Sequence, residues 1–599
     1  MTEFPHAERD NLRDFTADKR LLLLSWMALF VGVAGAGAAW VLLRLISLFT
    51  NLAYFQRVAF TLPVFPSHLP AWTIAIPVLG SLVVGLMARY GSDKIRGHGI
   101  PEAIEAILIG QSRIEPKVAL LKPISSAISI GTGGPFGAEG PIIMTGGALG
   151  SLFAQLFHLT AAERKTLLVG GAAAGMTAVF GTPIAAVLLA VELLLFEWKP
   201  RSFVPVAIAA IAAQICRPYL IGSGALFPYT GIVILPWWGL GVCALVGIVA
   251  GLQSSLLTLC LYGVEDLFRK LPIHWMWWPA LGGVVVGVGG YLDPAVLGVG
   301  YGNIRTLLDG GFTLDGATSL LVGKMAVWIV SLSSGTSGGV LAPLLIMGGA
   351  LGALESHVMP FGDAGFWALL GMAAILGGTM RAPLTATFFA VELTGNTHIL
   401  LPLLTASVAA FALTVLVMKR SILTERIARR GLHLTREYGI DPFLDTRVRD
   451  IMSQPVDTLP ATMTIADTID YFTGSEAPAR HKSYPILDEA GVAVGMVSRG
   501  DILRWEREGW GDIKFLGDMR APLIVGYSDE LVEHLADRMA NQGIGRVPII
   551  DRQSGKLVGL VARRDLLHTR ARVRTEERER ARLLGVGKHS AAGRPMPNG

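Results

Sequence analysis

Two glycine-rich stretches, about 200 residues apart, place the tightest constraint on what this chain can fold into. Residues 131–150 and 335–352 each lead from a cluster of glycines into an apolar segment that begins near a proline, and Pro141 and Pro343 are 202 residues apart. Tandem glycines permit backbone conformations that other residues resist, and they leave amide groups open to a close ligand. Both stretches therefore predict a helix that starts inside an apolar region.

A second pair of segments repeats at almost the same spacing. Residues 181–193 match residues 381–393, with Glu192 and Glu392 at equivalent positions 200 residues apart. Helices interrupted at corresponding places in two halves are typical of transporters built from inverted repeats, whose transport site lies between the repeats. We predict repeats covering about 71–220 and 275–420.

The composition predicts an α-helical protein with several membrane spans. Hydrophobic residues make up 52% of the 599 residues and charged residues only 16%, with a mean hydropathy of +0.52, which is too apolar for a soluble chain. The net charge of +5 gives no reason to expect nucleic acid as a partner. The three cysteines, Cys216, Cys243 and Cys260, have neither disulfide nor metal-ligand spacing.

Basic segments predict the orientation of the chain in the membrane. Residues 1–20 are polar and lack the apolar core of a signal peptide. Basic residues recur in the loop 89–96, at Lys419 and Arg420, and in the run 426–430. Because basic loops stay on the cytoplasmic side, we expect cytoplasmic N- and C-termini. With compact loops and no signal peptide, we expect an integral protein of a bacterial inner (plasma) membrane.

Glu139 is the carboxylate inside the first glycine-rich stretch. Pro141 follows it and suits the first turn of a helix, so Glu139 is placed at a helix N-terminus. Free amides and the positive end of the helix dipole favour an anion there. A carboxylate at that place can compete with a mobile anion; the simpler alternative is an ordinary helix cap.

The composition becomes that of a soluble protein near residue 440, where a shorter repeat appears. Residues 484–503 and 547–567 each read as strand, turn, strand and helix. We expect an α/β module of two copies after the membrane region. The predicted segments are a linker at 431–445, the copies at 446–509 and 510–572, and a charged tail at 573–599 that ends in disorder.

Three motifs resemble the anion-site motifs of the CLC chloride channel and transporter family. They are Gly-His-Gly-Ile-Pro-Glu at 97–102, Gly-Ala-Glu-Gly-Pro at 137–141 and Gly-Val-Leu-Ala-Pro at 339–343. The resemblance covers about 21–430, and the C-terminal pair is similar to tandem CBS domains. It implies a homodimer in a lipid bilayer, with one pathway per subunit for chloride or a similar small anion.

The resemblance also implies roles for individual residues. Glu139 corresponds to the family's gating glutamate, whose carboxylate leaves the outer anion site when it is protonated or displaced. The expected anion-binding residues are His98, Gly99, Ile100, Gly137, Ala138, Gly140, Val340, Leu341 and Leu423.

The motifs depart from the family's usual residues at the anion site. The family usually has Ser at the position of His98 and Tyr at that of Leu423, so both usual hydroxyl groups are missing. Leu341 replaces the usual Phe, and Ala138 replaces a basic residue. The imidazole of His98 either donates an N–H to the anion, or gains charge with pH, or packs without contacting an ion. Selectivity for chloride is therefore open.

A further departure concerns proton coupling. Family members that exchange protons commonly carry an inner glutamate at the position of Leu193. Glu197 is the candidate proton-path residue in its place, although Lys199 and Arg201 beside it also suit an interfacial ion pair. Some exchangers of the family lack the inner carboxylate.

The soluble pair offers a candidate nucleotide site. Ser498 and Asp501 fit the pattern in which hydroxyl and carboxylate groups contact the phosphate and ribose of an adenine nucleotide, whereas the second copy keeps Asp565 but has Ala562. No cofactor is required on this interpretation, and the alternative is a purely structural module.

Several functions compete at this stage. A passive anion channel gated by Glu139 is slightly favoured over a proton-coupled antiporter of the same family. An organic-anion transporter would need side-chain cations, which are nearly absent from 125–160 and 325–380. A cation transporter would need several carboxylates near the midplane. The apolar region contains no catalytic triad, metal cluster or phosphate loop, so we expect no enzyme and no metal.

Overall fold

A computed structural model describes most of the chain. The described residues are 20–108, 110–430, 443, 446–473, 481–510, 514–518 and 523–569. The predicted N-terminal segment up to residue 19, most of the linker at 431–445 and the tail at 573–599 lie outside them. The described residues form two compact units, one up to residue 430 and one from residue 443 onward.

The first unit is helical throughout. Its helices are α1 (Arg20–Phe55), α2 (Ala75–Tyr90), α3 (Ile100–Leu108), α4 (Pro116–Gly131), α5 (Glu139–Gln155), α6 (Ala161–Phe180), α7 (Pro183–Leu189, continued by a π-helical turn Ala190–Leu195), α8 (Pro200–Leu220), α9 (Gly239–Arg269), α10 (Trp278–Leu292), α11 (Tyr301–Leu308), α12 (Leu314–Ser333), α13 (Leu341–Glu355), α14 (Ala364–Met380), α15 (Pro383–Thr394), α16 (Leu400–Val417) and α17 (Ile422–Arg429).

Long and short helices alternate in this unit. Six of the described helical stretches are long and apolar enough to cross a membrane; they begin at residues 20, 71, 200, 239, 314 and 400. Helices α3, α11 and α17 are far shorter than the ~20 residues that a span requires. Their free ends must therefore be covered by protein or line a wet cavity.

The two predicted repeats appear as two series of seven helices. Helices α2 to α8 recur in the same order as α10 to α16, each short helix matching a short one. Within the first series α5 packs on α6 and α6 on α8; within the second α13 packs on α14 and α14 on α16. Helix α2 also packs on α10, and α7 on α15, so equivalent helices meet between the halves. The predicted repeat-built membrane fold is confirmed.

The paired glutamates join the two halves. Glu192 accepts hydrogen bonds from the Thr385 amide at 2.9 Å and hydroxyl at 2.5 Å. Glu392 accepts from the amides of Ile184 and Ala185 at 3.0 and 2.8 Å. Each carboxylate therefore caps the first turn of the equivalent helix in the other half, where free amides favour an anion.

Two buried lysines support two equivalent loops. The Lys122 ammonium donates to the carbonyls of Ile95 and Gly97 at 2.8 and 2.7 Å. Lys324, which lies 202 residues later, donates to the carbonyls of Val296 and Gly298 at 2.9 and 3.0 Å. Both lysine side chains are completely buried. Each lysine thus fixes the loop that leads into a short helix, α3 in the first half and α11 in the second.

The second unit contains two copies of one α/β arrangement. Its elements are β1 (Leu459–Pro460), α18 (Ile465–Thr473), β2 (Ser483–Leu487), β3 (Ala493–Ser498), α19 (Arg499–Glu508), β4 (Gly526–Tyr527), α20 (Val532–Asn541), β5 (Arg546–Ile550) and β6 (Leu557–Ala562). Each copy has a three-stranded sheet whose first pair of strands is parallel and whose second pair is antiparallel. The Arg546 guanidinium donates to the Ser483 hydroxyl at 2.7 Å and so links the copies.

We expect Lys122→Met to destabilise the first unit, because it leaves the buried carbonyls of Ile95 and Gly97 without their donor. Such a loss costs about 1–3 kcal/mol for an orphaned buried group. Thermal unfolding of the detergent-solubilised protein measures it. Lys117→Met on the same helix is the control, since Lys117 is exposed. Equal unfolding temperatures for the two variants would contradict the supporting role of Lys122.

Candidate anion site

Glu139 is the first residue of α5 and is completely buried. Its Oε1 accepts a hydrogen bond of 2.6 Å from the amide of Ala342, in the first turn of α13. Its Oε2 has no hydrogen-bond partner among the described residues. The carboxylate therefore lies where the N-termini of two helices, one from each repeat, meet. Backbone amides favour a negative charge at such a place.

Two glycines make room for this carboxylate. Gly137 and Gly339 exchange backbone hydrogen bonds of 3.2 and 2.8 Å, so that the second and third motifs pair directly. A Cβ atom added to either glycine would overlap the carboxylate oxygens of Glu139. Glycine is thus required at both positions, because the Glu139 carboxylate lies directly against the backbone.

The first motif reaches the same place. The Gly97 amide donates to the Thr336 carbonyl at 2.8 Å, and Gly97 and Gly99 have φ angles of 81° and 88°, in the left-handed region that favours glycine. A Cβ atom added to Gly140 would collide with the carbonyl of His98. The three motifs are therefore in mutual backbone contact, with their short loops packed at the ends of α3, α5 and α13.

His98 lies inside this junction and is only 1% exposed. Its Nδ1 has no hydrogen-bond partner in the described part of the chain. Nearby, Glu102 accepts from the Gly99 amide at 2.9 Å and forms an ion pair with Arg426 at 3.2 Å. His98 thus has a free ring nitrogen beside the site, within a fixed charged network.

The remaining anion-site residues present apolar side chains. Ile100, Ala138, Val340, Leu341 and Leu423 are all completely buried. Leu423 lies in the first turn of α17, which packs on α3. The structure therefore gathers the three motifs around Glu139 and leaves the side chains other than His98 without a polar group for an anion. Any anion held here would be bound mainly by backbone amides.

Glu197 is placed in an interfacial ion cluster. It accepts a hydrogen bond from the Ser202 hydroxyl at 2.6 Å and lies 3.7 Å from Lys165 and 3.9 Å from Lys199. Its side chain is 22% exposed. Leu193, at the position of the inner glutamate, is buried. These partners are those of a surface ion pair, and none of them belongs to the junction around Glu139.

The candidate nucleotide residues act as helix caps. The Ser498 hydroxyl donates to Asp501 at 2.7 Å, and Ser498 is the N-cap of α19. In the second copy the Ala562 amide donates to Asp565 at 2.8 Å, without a hydroxyl group. The first copy therefore offers one more polar group at the equivalent position.

The sequence analysis missed the residues that support the site. Lys122 and Arg426 hold the first motif in place through its carbonyls and through Glu102. A signal for the lysine existed, because Lys122 and Lys324 recur at the same offset as the prolines. The Arg426 contact joins residues more than 300 positions apart, and the sequence pattern does not reveal it.

Family models match both units. A model for "Voltage gated chloride channel" matches residues 79–415, which is more than half of the chain. A model for "CBS domain" matches twice, at 448–508 and 510–572.

Curated relatives are similar over most of their length. A "Putative chloride channel protein ClcB-like" from Ralstonia nicotianae is 28% identical over 372 residues, covering 60% of this chain and 87% of the relative. An "H(+)/Cl(-) exchange transporter ClcA" from Cronobacter sakazakii is 28% identical over 448 residues, covering 70% and 91%.

Solved structures share the fold. A slow cyanobacterial Cl⁻/H⁺ antiporter matches with a TM-score of 0.60 and 24% identity, covering 69% of this chain and 99% of that structure. A eukaryotic CLC transporter matches with a TM-score of 0.57 and 20% identity, covering 91% and 98%. With the junction of helix N-termini around Glu139, the family match leads to one conclusion: this chain is a member of the voltage-gated chloride channel (CLC) family and carries a tandem CBS pair.

Proposed function

We propose that this protein is a proton-coupled anion antiporter that exchanges chloride for protons, with Glu139 as the gating group. The observation that carries the proposal is the buried Glu139 carboxylate at the meeting point of the α5 and α13 N-termini. Anion transport follows from family membership. Proton coupling does not follow from family membership alone. It is supported by two relatives that are named H(+)/Cl(-) exchange transporters.

This proposal reverses the slight preference of the sequence analysis for a passive channel. That preference came from Leu193, which carries no proton. The names of the similar exchangers weigh more than the loss of one carboxylate, because protons can also move by way of water in a polar cavity. The passive channel remains the outcome that the first experiment below would detect.

The chemistry follows from competition for one set of amides. The Glu139 carboxylate accepts the Ala342 amide, and a chloride ion can use the same donors, since both carry one negative charge. Protonation removes the charge of the carboxyl group, so it competes less well for the amides and leaves them to chloride. The same carboxyl group can therefore occupy the anion site when it is charged, and carry a proton and leave the site open when it is protonated.

We further propose that the protein works as a homodimer in a bacterial inner membrane with both termini in the cytoplasm. The basic residues at 419–420 and 426–430 support this orientation. We place Glu197 in the interfacial ion cluster with Lys165 and Lys199, and assign it no proton transfer.

Glu139→Ala is expected to abolish uphill proton uptake while chloride flux continues, because the variant has no group to carry the proton. The measurement is proton movement into liposomes driven by a chloride gradient. Glu115→Ala, which removes an exposed carboxylate paired with Lys94, is the matched control. Fast chloride flux without proton movement in the unmodified protein would establish a channel instead.

His98→Leu is expected to weaken chloride binding about tenfold, because one hydrogen bond to a charged group contributes ~1.5–3 kcal/mol. Titration calorimetry on the purified protein measures the affinity. His98→Ser should recover part of it, and His158→Leu, at an exposed histidine, should leave it unchanged. Equal affinity in all variants would show that His98 only packs.

We also propose one adenine-nucleotide site per chain, in the first CBS copy. Asp501→Ala is expected to remove ATP binding to the full-length protein and Asp565→Ala to retain it, because only the first copy also supplies the Ser498 hydroxyl. Calorimetric titration with ATP measures both variants. Absence of binding to the unmodified protein would favour a purely structural module.

A further inference from the structure

The second repeat contains an equivalent of the His98 loop. Gly298 and Gly300 have φ angles of 58° and 74°. Their equivalents 201 residues earlier, Gly97 and Gly99, also have positive φ angles. Lys324 donates to two carbonyls of the later loop, as Lys122 does in the earlier one. Helix α11 then begins at Tyr301, whose equivalent in the first repeat is Ile100. An aromatic residue with a hydroxyl therefore occupies the start of the second short helix.

Tyr301 also lines a cavity of about 510 Å³. The cavity is bounded by residues 62–67, which follow the C-terminal end of α1, and by residues 293–295, 297–303 and Arg305. It therefore opens near the end of α1 opposite to Arg20. With the N-terminus in the cytoplasm, as proposed above, this is the outer face of the membrane.

The hydroxyl of Tyr301 points away from water and has no hydrogen-bond partner in the part of the chain that the structure describes. Its oxygen is buried and makes no hydrogen bond to any described residue, while the ring is partly exposed. The ring packs edge-on against Phe227 with centroids 5.5 Å apart. Unpartnered buried hydroxyl groups are uncommon in folded proteins and call for an explanation.

Tyr301 and Glu139 both adjoin helix α13. A Cβ atom added to Gly300 would collide with Ile346, which is one helical turn after the Ala342 amide that binds Glu139. Tyr301 is the first residue of α11, which packs on α13, and its phenol interacts electrostatically with the Glu139 carboxylate. Two buried polar atoms without partners, Tyr301 Oη and Glu139 Oε2, thus lie in the same region.

We propose that the Tyr301 hydroxyl is the hydrogen-bond partner of the Glu139 carboxyl group after that group leaves the anion site. A phenol oxygen can accept a hydrogen bond from a protonated carboxyl and can donate one to a carboxylate. Tyr301 is in this sense a positioning residue that stabilises the displaced, protonated form on the cavity side. The inference rests on the gating role proposed for Glu139.

The charged groups around the cavity are already engaged elsewhere. Lys324 donates to Val296 and Gly298. Asp293 accepts from the amide of Ala295 at 2.9 Å, and Arg305 donates to the Leu226 carbonyl at 3.4 Å. None of these contacts involves the Tyr301 hydroxyl, and its electrostatic interaction is with Glu139.

The test is Tyr301→Phe in the full-length protein, which removes only the hydroxyl group. Chloride efflux from liposomes is measured as a function of pH on the cavity side. We expect the midpoint of the pH profile to move about 0.5–1 unit toward acid, because one lost hydrogen bond must be offset by a higher proton concentration. Tyr291→Phe, at an exposed tyrosine in α10, is the matched control with an unchanged profile.

The double variant Tyr301→Phe with Glu139→Ala distinguishes a positioning role of the Tyr301 hydroxyl from a purely structural one. Without a carboxyl group to hold, removing the Tyr301 hydroxyl should have no further effect on flux. An effect of equal size in both backgrounds would mean a structural role and would overturn the inference. So would an unchanged pH profile of Tyr301→Phe while Glu139→Ala loses proton uptake. If Glu139→Ala keeps uphill proton uptake, the gating proposal itself fails, and the Tyr301 inference falls with it.

Discussion

The backbone amides that meet the Glu139 carboxylate are the contact on which the rest of this structure depends. A buried carboxylate costs several kcal/mol unless hydrogen bonds or charges compensate it. In the described residues no salt bridge reaches Glu139, and the compensation comes from helix N-termini, with the Ala342 amide at 2.6 Å. Donors that belong to the backbone cannot follow the carboxyl group when it moves. They stay in place after it has moved, as the proposed exchange of carboxylate for anion requires.

The duplicated architecture keeps those amides in position. Helices that stop inside the membrane region leave free ends, and each free end has to be covered. The chain covers them in pairs: Glu192 and Glu392 cap each other's helices, and Lys122 and Lys324 hold equivalent loops. Because these supports occur twice, the site lies between two similarly stabilised halves. This symmetry also makes the loop before Tyr301 the equivalent of the His98 loop.

The apolar character of the site determines how it can select an anion. Leu341 and Leu423 are buried and offer no hydroxyl group, so we expect the backbone to supply most donors to an anion and His98 the one side-chain N–H. Amides arranged for one negative charge discriminate poorly among small anions, whereas the imidazole adds a directional donor. His98 is therefore the residue through which this chain is expected to differ from relatives that have serine at that position.

Much of this protein was determined by its sequence alone. The paired breaks around Pro141 and Pro343 predicted the repeats, the composition predicted the membrane, and Pro141 predicted a helix N-terminus at Glu139, because none of these signals depends on contacts between distant side chains. The three motifs identified the loops that meet around Glu139, but not the Ala342 amide that binds its carboxylate.

The tertiary structure decided what depends on contacts between distant residues. It showed that Gly339 abuts the Glu139 carboxylate, that Arg426 pairs with Glu102, and that Glu197 joins a lysine cluster. It also left the Tyr301 hydroxyl without a hydrogen-bond partner among the described residues, on a helix that packs on α13. Such partners depend on how the helices pack. Packing brings together side chains that are far apart along the chain, and no periodic pattern in the sequence predicts those contacts.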